Sequence, residues 1–158
     1  MDAFAKASSV SERSLAELKS YLEFRGWTLQ PYVDRWSQIH RGDYRAVNSS
    51  TGVVMNLEVK AEAKSTGNLF IETWSNKTEG RRGWLYNLDE CSCLIYHFLD
   101  SKAYVIQFER LRNFDLSRYE EKPQHRYEQR NDTWGVLVPI ADLKRAGVIT
   151  QEIGLPVD

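Results

Sequence analysis

The chain has little cysteine, little proline and no long apolar run. Its 158 residues include two cysteines and four prolines, and 42% of them are hydrophobic. No stretch approaches the roughly 18 consecutive apolar residues that indicate a membrane-spanning helix. No apolar signal core stands near the N-terminus, so we expect a cytoplasmic protein without a membrane partner.

The two cysteines, Cys91 and Cys93, are separated by a single residue. A disulfide across this spacing would be strained, and no histidine stands at the spacing needed to complete a zinc site with the two thiols. We therefore expect both thiols to be reduced and partly buried, as in a cytosolic protein.

A charge excess of either sign is also missing. The chain carries 21 Lys and Arg against 22 Asp and Glu, which gives a net charge of −1. This balance excludes a protein that coats DNA over its whole surface, because such proteins are strongly basic, but it allows a local basic groove. The length predicts a single domain over residues 1–158, and the chain contains no internal repeat.

The spacing of apolar residues predicts the secondary structure. Leu15, Leu18 and Leu22 recur at helical spacing between a capping-box pattern that starts at Ser9 and the helix-ending Gly26. The remaining runs predict further strands and helices and one long polar loop. The strands are expected over 39–47, 53–62, 68–74, 93–99, 103–108 and 135–140, the short helices over 84–90 and 141–146, and the loop over 113–133. This order predicts an α/β (α+β) fold.

The stretch 53–62 alternates without a break between apolar and polar residues. Period-two alternation predicts a strand with one face against the core. Glu58 and Lys60 fall on the polar side, where their side chains point the same way about 7 Å apart. A carboxylate and an ammonium group are therefore expected side by side.

The polar turn at 48–52 predicts a hairpin between this strand and the preceding one. We choose the register in which the apolar residues of the two strands match in pairs. This register places Asp43 opposite Glu58, and Arg41 opposite Lys60. Opposed residues have Cβ atoms roughly 4.5–5.5 Å apart, so one divalent ion can bridge the two carboxylates. A slip of one residue would turn Asp43 to the other face.

Together, Asp43, the Glu58-x-Lys60 motif and a following strand with Glu72 resemble the signature of the PD-(D/E)XK nuclease superfamily. The superfamily includes type II restriction enzymes, Holliday-junction resolvases and small phage nucleases. One departure is that Gly42 stands where the name-giving motif has proline, although many members lack that proline.

The predicted order of a helix, three strands, a helix and a strand is also similar to the core of that superfamily. The resemblance covers about residues 10–110 and leaves 111–158 as a C-terminal decoration. It implies a restriction-endonuclease-like core, in which helices flank a mixed central β-sheet.

The resemblance further implies a Mg²⁺ ion, with Mn²⁺ as a substitute, held by Asp43 and Glu58. Lys60 would orient or activate the attacking water, and Glu72 would be a further ligand or would hold a ligating water. Some members carry another acid on the first helix, which would here be Glu12 or Glu17. Carboxylates suit a hard divalent ion, and such an ion both stabilises charge on a phosphate and generates a nucleophile near neutral pH.

DNA is the partner that this chemistry implies, and a homodimer is plausible if both strands are cut. We expect contacts from basic loop residues and from one aromatic residue that can stack on a base: Lys64, Lys77, Arg81, Arg82 and Trp74. A solvated basic loop is the common alternative for such a cluster. The three histidines, His40, His97 and His125, do not cluster by spacing, so we expect surface or hydrogen-bonded histidines.

Two other functions fit the same residues. The fold could serve as a catalytically inactive module that binds DNA or a protein partner, which the near-neutral charge favours. The carboxylates could also hold Mg²⁺ in an enzyme that does not act on nucleic acids. The sequence leaves open whether a nucleic-acid substrate is duplex, single-stranded, branched or RNA.

Overall fold

The computed structural model describes residues 3–124 and 131–155. The described residues form five α-helices, ten β-strands and a single 3₁₀ turn. The helices are α1 (Ala3–Phe24), α2 (Arg35–His40), α3 (Trp84–Asn87), α4 (Phe108–Arg112) and α5 (Ile140–Arg145), and the 3₁₀ turn is Leu116–Arg118. The strands are β1 (Trp27–Pro31), β2 (Tyr44–Asn48), β3 (Val54–Glu62), β4 (Asn68–Asn76), β5 (Arg81–Arg82), β6 (Cys93–Phe98), β7 (Lys102–Gln107), β8 (Glu121–Pro123), β9 (Trp134–Pro139) and β10 (Ile149–Gly154).

The strands form two sheets. The central sheet has the order β1-β2-β3-β6-β7-β10, and the second sheet has the order β5-β4-β9-β8. Within the central sheet β3 and β6 run parallel, and every other neighbouring pair is antiparallel. The prediction of an α+β protein with a mixed central sheet is therefore confirmed, with few helices around it.

Each face of the central sheet has its own core. Alternate residues of β6 divide between them, because neighbouring strand residues point to opposite faces. Leu94 and Phe98 join residues of the second sheet, such as Leu69 and Val138, in the larger core. Ile95 packs on the other face with α1 residues and residues of β2, β3 and β7, in the smaller core: Leu18, Ala46, Leu57 and Ala103.

Helix α1 begins earlier than predicted. It starts at Ala3 and continues through Ser9, where we had placed its cap, to Phe24. The predicted strand over 39–47 is wrong in its first part, because α2 occupies 35–40. The Asp34 side chain accepts a hydrogen bond from the backbone N–H of Ser37 at 2.8 Å, which caps α2.

Arg41 consequently does not lie opposite Lys60 in the hairpin. Arg41 is the C-terminal cap of α2, and its Nε lies 3.6 Å from Glu90 Oε2. The next residue, Gly42, has a positive φ of 110°, which turns the chain out of the helix before the strand begins.

The strand that follows β3 along the chain is not its neighbour in space. β4 lies in the second sheet, and β6 pairs with β3 instead. The physical reason is burial: β6 is apolar on both sides and is covered on both faces, as parallel strands usually are. The amphipathic β4 has a buried side, with Leu69 and Ile71, that suits packing face to face.

The C-terminal third of the chain contributes to both sheets. β9 pairs with β4, and β10 forms an edge of the central sheet beside β7. The predicted loop over 113–133 contains the 3₁₀ turn and β8, while its residues 125–130, with His125, lie outside the described residues. No helix in the described part of the chain is both long and apolar enough to cross a bilayer.

Candidate active site

The register of the β2–β3 hairpin is the one predicted. Val47 pairs with Val54 and Tyr44 pairs with Leu57. Asp43 lies just before β2, and its backbone N–H donates to the Leu57 carbonyl at 2.9 Å. Its Oδ2 also accepts a hydrogen bond from the Val59 N–H at 2.8 Å. These contacts hold the carboxylate of Asp43 beside Glu58.

Gly42 allows this approach. A Cβ atom at position 42 would lie 2.9 Å from the backbone oxygen of Leu57, and the residue also has a positive φ. Any side chain would therefore push the end of α2 away from β3. Gly42 therefore has a structural role, because it brings Asp43 to the strand.

Glu58 is the most perturbed carboxyl group of the site. Its residue is only 6% exposed. Burial raises the pKa of Glu58 to about 9, the Lys60 ammonium opposes that rise, and the hydrogen bond with Asp43 and its charge add to it. Burial and the neighbouring Asp43 therefore disfavour the charged form of Glu58 even with the Lys60 ammonium 3.9 Å away. We name Asp43 and Glu58 the acid pair.

Lys60 lies between the acid pair and solvent. Its Nζ lies 3.9 Å from Glu58 Oε2, and its side chain is 35% exposed. The same Nζ lies 5.6 Å from the centre of the Trp84 ring, a distance at which a cation–π attraction operates. Lys60 is therefore partly exposed to solvent beside the largely buried Glu58.

Glu72 reaches the site indirectly. It lies on β4 in the second sheet, and its Oε1 accepts a hydrogen bond from the Trp84 N–H at 3.1 Å. A Cβ atom on Gly83 would stand 2.8 Å from Glu72 Cγ, so a glycine is needed for this contact. Glu72 thus holds the segment that places the Trp84 ring near Lys60.

The acids of the first helix lie elsewhere. Glu17 Oε2 is 3.6 Å from Nε2 of His97, on the face of the central sheet that α1 covers. Glu12 is exposed on the helix surface. Glu58, in contrast, alternates with the α1-facing Leu57 and so points to the opposite face.

The acid pair has the donor chemistry of a magnesium site. Among the residues that the structure describes, no group of three or more His, Cys, Asp or Glu side chains could hold a metal ion. Mg²⁺ usually takes only one or two carboxylates from a protein and keeps several waters. The carboxyl pair, of which Glu58 is buried and Asp43 is half-buried, fits such an ion, because a divalent cation can replace the proton on Glu58 and offset both charges.

The predicted DNA-binding cations differ in their surroundings. Lys77 Nζ lies 2.8 Å from Glu121 Oε1, and Arg81 lies 2.6 Å from Glu79, so both charges are partly neutralised. Lys64 is exposed.

Arg82 is held by aromatic rings. Its guanidinium carbon lies 4.4 Å from the centre of the Trp74 ring and 3.8 Å from that of Tyr86. The structure therefore brings Arg82 and Trp74 together. Arg82 stands two residues before Trp84 in the chain.

Two more polar residues of β3 share the side of Glu58 and Lys60. Asn56 Oδ1 accepts a hydrogen bond from the hydroxyl of Tyr32, and Glu62 Oε1 accepts one from the hydroxyl of Tyr96 at 2.7 Å. We did not single them out from the sequence, although the strand alternation already placed both on the polar side. Their tyrosine partners, Tyr32 just after β1 and Tyr96 on β6, carry no local signal.

The two thiols near the site are buried at Cys91 and half-buried at Cys93. Cys91 and Cys93 are both free. Burial raises the pKa of Cys91 to about 12, with a further contribution from the charge of Glu58, and burial raises that of Cys93 to about 11. Both groups are therefore neutral thiols near pH 7 in the metal-free protein, which makes them poor nucleophiles there.

Comparisons of this chain with protein-family models, with curated proteins and with solved structures gave no match. Membership of the PD-(D/E)XK superfamily therefore stays a prediction from the residues.

Proposed function

We propose that the protein is a metal-dependent nuclease that hydrolyses phosphodiester bonds in DNA. The observation that supports this proposal best is the acid pair with Lys60. Two carboxyl groups share a hydrogen bond, the pKa of Glu58 is raised to about 9, and Lys60 Nζ stands 3.9 Å from Glu58. Perturbed titratable groups that meet at an accessible point are the usual mark of a catalytic site.

Asp43 and Glu58 would hold Mg²⁺, with Mn²⁺ as a substitute. When bound, such an ion supplies charge stabilisation for the phosphate and a water that ionises near neutral pH. Hydrogen bonds to the backbone of β3 orient Asp43, and burial keeps Glu58 in one position. Preorganised ligands lose little entropy when the ion binds.

Lys60 would act on the phosphate or on the attacking water. Its ammonium group is close to Glu58 and partly exposed, so it can donate hydrogen bonds to a phosphate oxygen beside the acid pair. Trp84 limits the range of Lys60, and Glu72 anchors the backbone of Trp84. Glu72 is thus a positioning residue in this proposal.

DNA contacts would come chiefly from Arg82 and Trp74. The two rings beside Arg82 restrict its guanidinium, which leaves its N–H groups available to a phosphate. Lys64 would add an exposed charge. Lys77 and Arg81 would contribute less, because each already has an acidic partner at short distance. A homodimer remains a possible arrangement for cutting both strands.

A catalytically inactive binding module is the second candidate. The near-neutral net charge and the two-acid site favour it. In that case the acid pair would keep its proton and would have no need of a metal ion. An enzyme that uses Mg²⁺ on another substrate would bind the metal without cutting DNA.

Cleavage of supercoiled plasmid, single-stranded DNA and branched DNA tests the proposal, with Mg²⁺, Mn²⁺ or EDTA. We expect Glu58→Gln to abolish metal-dependent cleavage, because the amide is a poor ligand for a hard cation. Lys60→Met should slow cleavage by about 10²- to 10⁴-fold, the usual contribution of a positioned proton-transfer group.

Matched controls are available on the far edge of the central sheet. Lys102 and Glu152 form a surface ion pair with 2.9 Å between Nζ and Oε2, and Lys102→Met and Glu152→Gln should cut at the rate of the parent. Cleavage that survives Glu58→Gln and Lys60→Met would contradict the assignment. Binding of DNA without any cleavage would favour the inactive module.

A further inference from the structure

Helix α2 and the segment just before it carry three large apolar side chains that are exposed to solvent. Trp36 is 51% exposed, Ile39 is 38% exposed, and Val33 just before the helix is 87% exposed. None of these three side chains belongs to either core. A group of exposed large apolar residues beside a candidate site is a common mark of a binding surface.

The ring of Trp36 is held in place by polar neighbours. It stacks on the His40 ring with 4.6 Å between centroids and 25° between planes. The guanidinium carbon of Arg41 lies 4.9 Å from the centre of the Trp36 ring. His40 and Arg41 are themselves fixed by acids, Asp89 at 2.7 Å and Glu90 at 3.6 Å. About half of the Trp36 surface nevertheless stays open to solvent.

This surface is tied directly to the acid pair. Arg41 and Asp43 are separated only by Gly42, whose N–H donates to the Ser37 carbonyl of α2 at 3.0 Å. On its other side Gly42 lies against the backbone of β3 at Leu57. The short connection therefore joins the helix that carries Trp36 directly to Asp43 of the acid pair.

We propose that Trp36 is a stacking platform for an unpaired base next to the phosphate that is cut, and that the substrate is single-stranded DNA. This inference rests on the proposed nuclease function. A flat ring can stack only on a base whose face is free, and an intact duplex covers those faces. Arg41 lies 4.9 Å from the centre of the ring, and its ion pair with Glu90 is long, at 3.6 Å, and solvent-exposed, so its guanidinium can exchange that partner for the phosphate of the stacked nucleotide.

The arrangement fits a nucleotide better than an apolar protein partner. A protein partner would be served by the apolar side chains alone, whereas here a cation and an imidazole lie against the ring within two residues of a carboxylate pair. Aromatic stacking combined with arginine contacts is the usual way in which proteins hold single strands. Self-association through the same surface is an outcome that the test separates.

The first test measures binding in EDTA, where no metal-dependent cleavage occurs. Fluorescence anisotropy would follow a labelled single strand of about 16 nucleotides and a duplex of the same length. We expect Trp36→Ala to weaken single-strand binding on the order of tenfold and to leave duplex binding unchanged. Trp36→Phe should retain most of the affinity. The control Leu137→Ala removes a residue that is 47% exposed on β9, and it should change neither affinity.

A substrate with one missing base sharpens the test. The abasic position is moved along the strand, and at one position the affinity should fall as far as it does for Trp36→Ala. The variant should then lose nothing further on that strand, because the ring has no base to stack on. The assignment of Trp36 as a stacking platform would be wrong if Trp36→Ala lowered the affinity for single strand and duplex equally. It would also be wrong if Trp36→Ala lowered the affinity further at every abasic position.

Two further outcomes would distinguish a failure of the platform proposal from a failure of the nuclease proposal. Sedimentation that shows a dimer in the parent and a monomer in Trp36→Ala would assign the surface to a second copy of the chain and overturn the proposal. Single-strand binding that depends on Trp36, with no metal-dependent cleavage of any DNA, would support the platform and overturn the nuclease. The two proposals therefore fail separately.

Discussion

Two buried polar clusters lie on opposite faces of the central sheet, and they differ in access. The first is the acid pair with Lys60. The second, the histidine cluster, consists of Ser14, Glu17 and His97 under helix α1. Ser14 Oγ lies 2.7 Å from His97 Nδ1, and His97 Nε2 lies 3.6 Å from Glu17 Oε2.

The histidine cluster has the residue types of a hydrolase triad, but a substrate cannot reach it. Ser14 is 0% exposed and His97 is 1% exposed. Lys60, in contrast, is 35% exposed beside the acid pair. Reactive residue types in hydrogen-bonding range are therefore not enough to identify a site. The histidine cluster connects α1 to β6, which is a structural role.

The largest expected difference between the two clusters is in what they contribute to the free energy of unfolding. We expect Ser14→Ala to destabilise the protein by roughly 1–3 kcal/mol, because it leaves a buried ring nitrogen of His97 without its partner. His97→Ala should cost roughly 2–4 kcal/mol, because it also leaves a cavity. Glu58→Gln should not destabilise the metal-free protein, since the glutamine amide can donate a hydrogen bond to Asp43, as the protonated carboxyl group of Glu58 does. Urea denaturation in EDTA measures all three.

The control for this comparison is Ser11→Ala. Ser11 lies on the same helix but is exposed, so its replacement should change the free energy of unfolding by less than about 0.5 kcal/mol. Cleavage per folded molecule should be unchanged in Ser14→Ala. A loss of cleavage in Ser14→Ala at temperatures where it is fully folded would break the comparison.

The two clusters should also give opposite pH dependences. Burial raises the pKa of Glu58 from 4.5 to about 9, so only the folded state binds its proton between these values, and stability falls as pH rises. Burial lowers the pKa of His97 below 6.5, with opposition from Glu17 and support from Arg13. Here the unfolded state binds the extra proton, so stability is present above pH 6.5 and is lost as pH falls below it.

The interval between about pH 7 and 7.5 isolates Glu58 best, because it lies above the ordinary pKa of a histidine, about 6.5, and about one unit below the pKa of about 8.5 at which the two thiols ionise in the unfolded chain. Unfolding in EDTA should become easier across it, by no more than about 1.4 kcal/mol per pH unit for one proton. Glu58→Gln should remove this slope and keep the loss of stability in acid. A flat profile for the parent in this interval would mean that the acid pair does not hold a proton.

The acid pair was predictable and its surroundings were not. Strand alternation and a short turn set which residues of one hairpin oppose each other, so Asp43 beside Glu58 followed from local pattern. Glu72 was placed on a neighbouring strand because strands that follow each other along the chain often pair. Its actual place in the second sheet depends on how two apolar faces pack, which local alternation does not encode.

The α2 surface and the histidine cluster were missed for related reasons. Helix α2 has only six residues, too few to show a helical period, although Asp34 was a readable cap. Ser14 and His97 are 83 positions apart in the chain, and each alone is an ordinary residue of a helix or a strand. Only the packing of α1 on the central sheet brings them together.

The smallest expected effect concerns Glu17, the member of the histidine cluster that solvent can reach. Its side chain is 18% exposed, and its other oxygen accepts a hydrogen bond from Arg13 at 3.2 Å. Glu17→Gln should lower the free energy of unfolding by less than about 1 kcal/mol, since it removes the partly solvated ion pair with Arg13 and keeps the shape of the side chain. Cleavage should be unaffected, because α1 packs on the face of the sheet away from Glu58.

The informative readout for Glu17→Gln is the titration of His97 by NMR. The carboxylate of Glu17 opposes the lowering of the His97 pKa by burial, so its removal should lower that pKa further. Glu12→Gln, on the exposed side of the same helix, is the matched control and should leave the titration unchanged. A raised pKa of His97 in Glu17→Gln would contradict the effect assigned to this carboxylate. If Glu17→Gln slowed cleavage while the protein stayed folded, the two clusters would be linked through the sheet, and their separation into a structural and a catalytic group would fail.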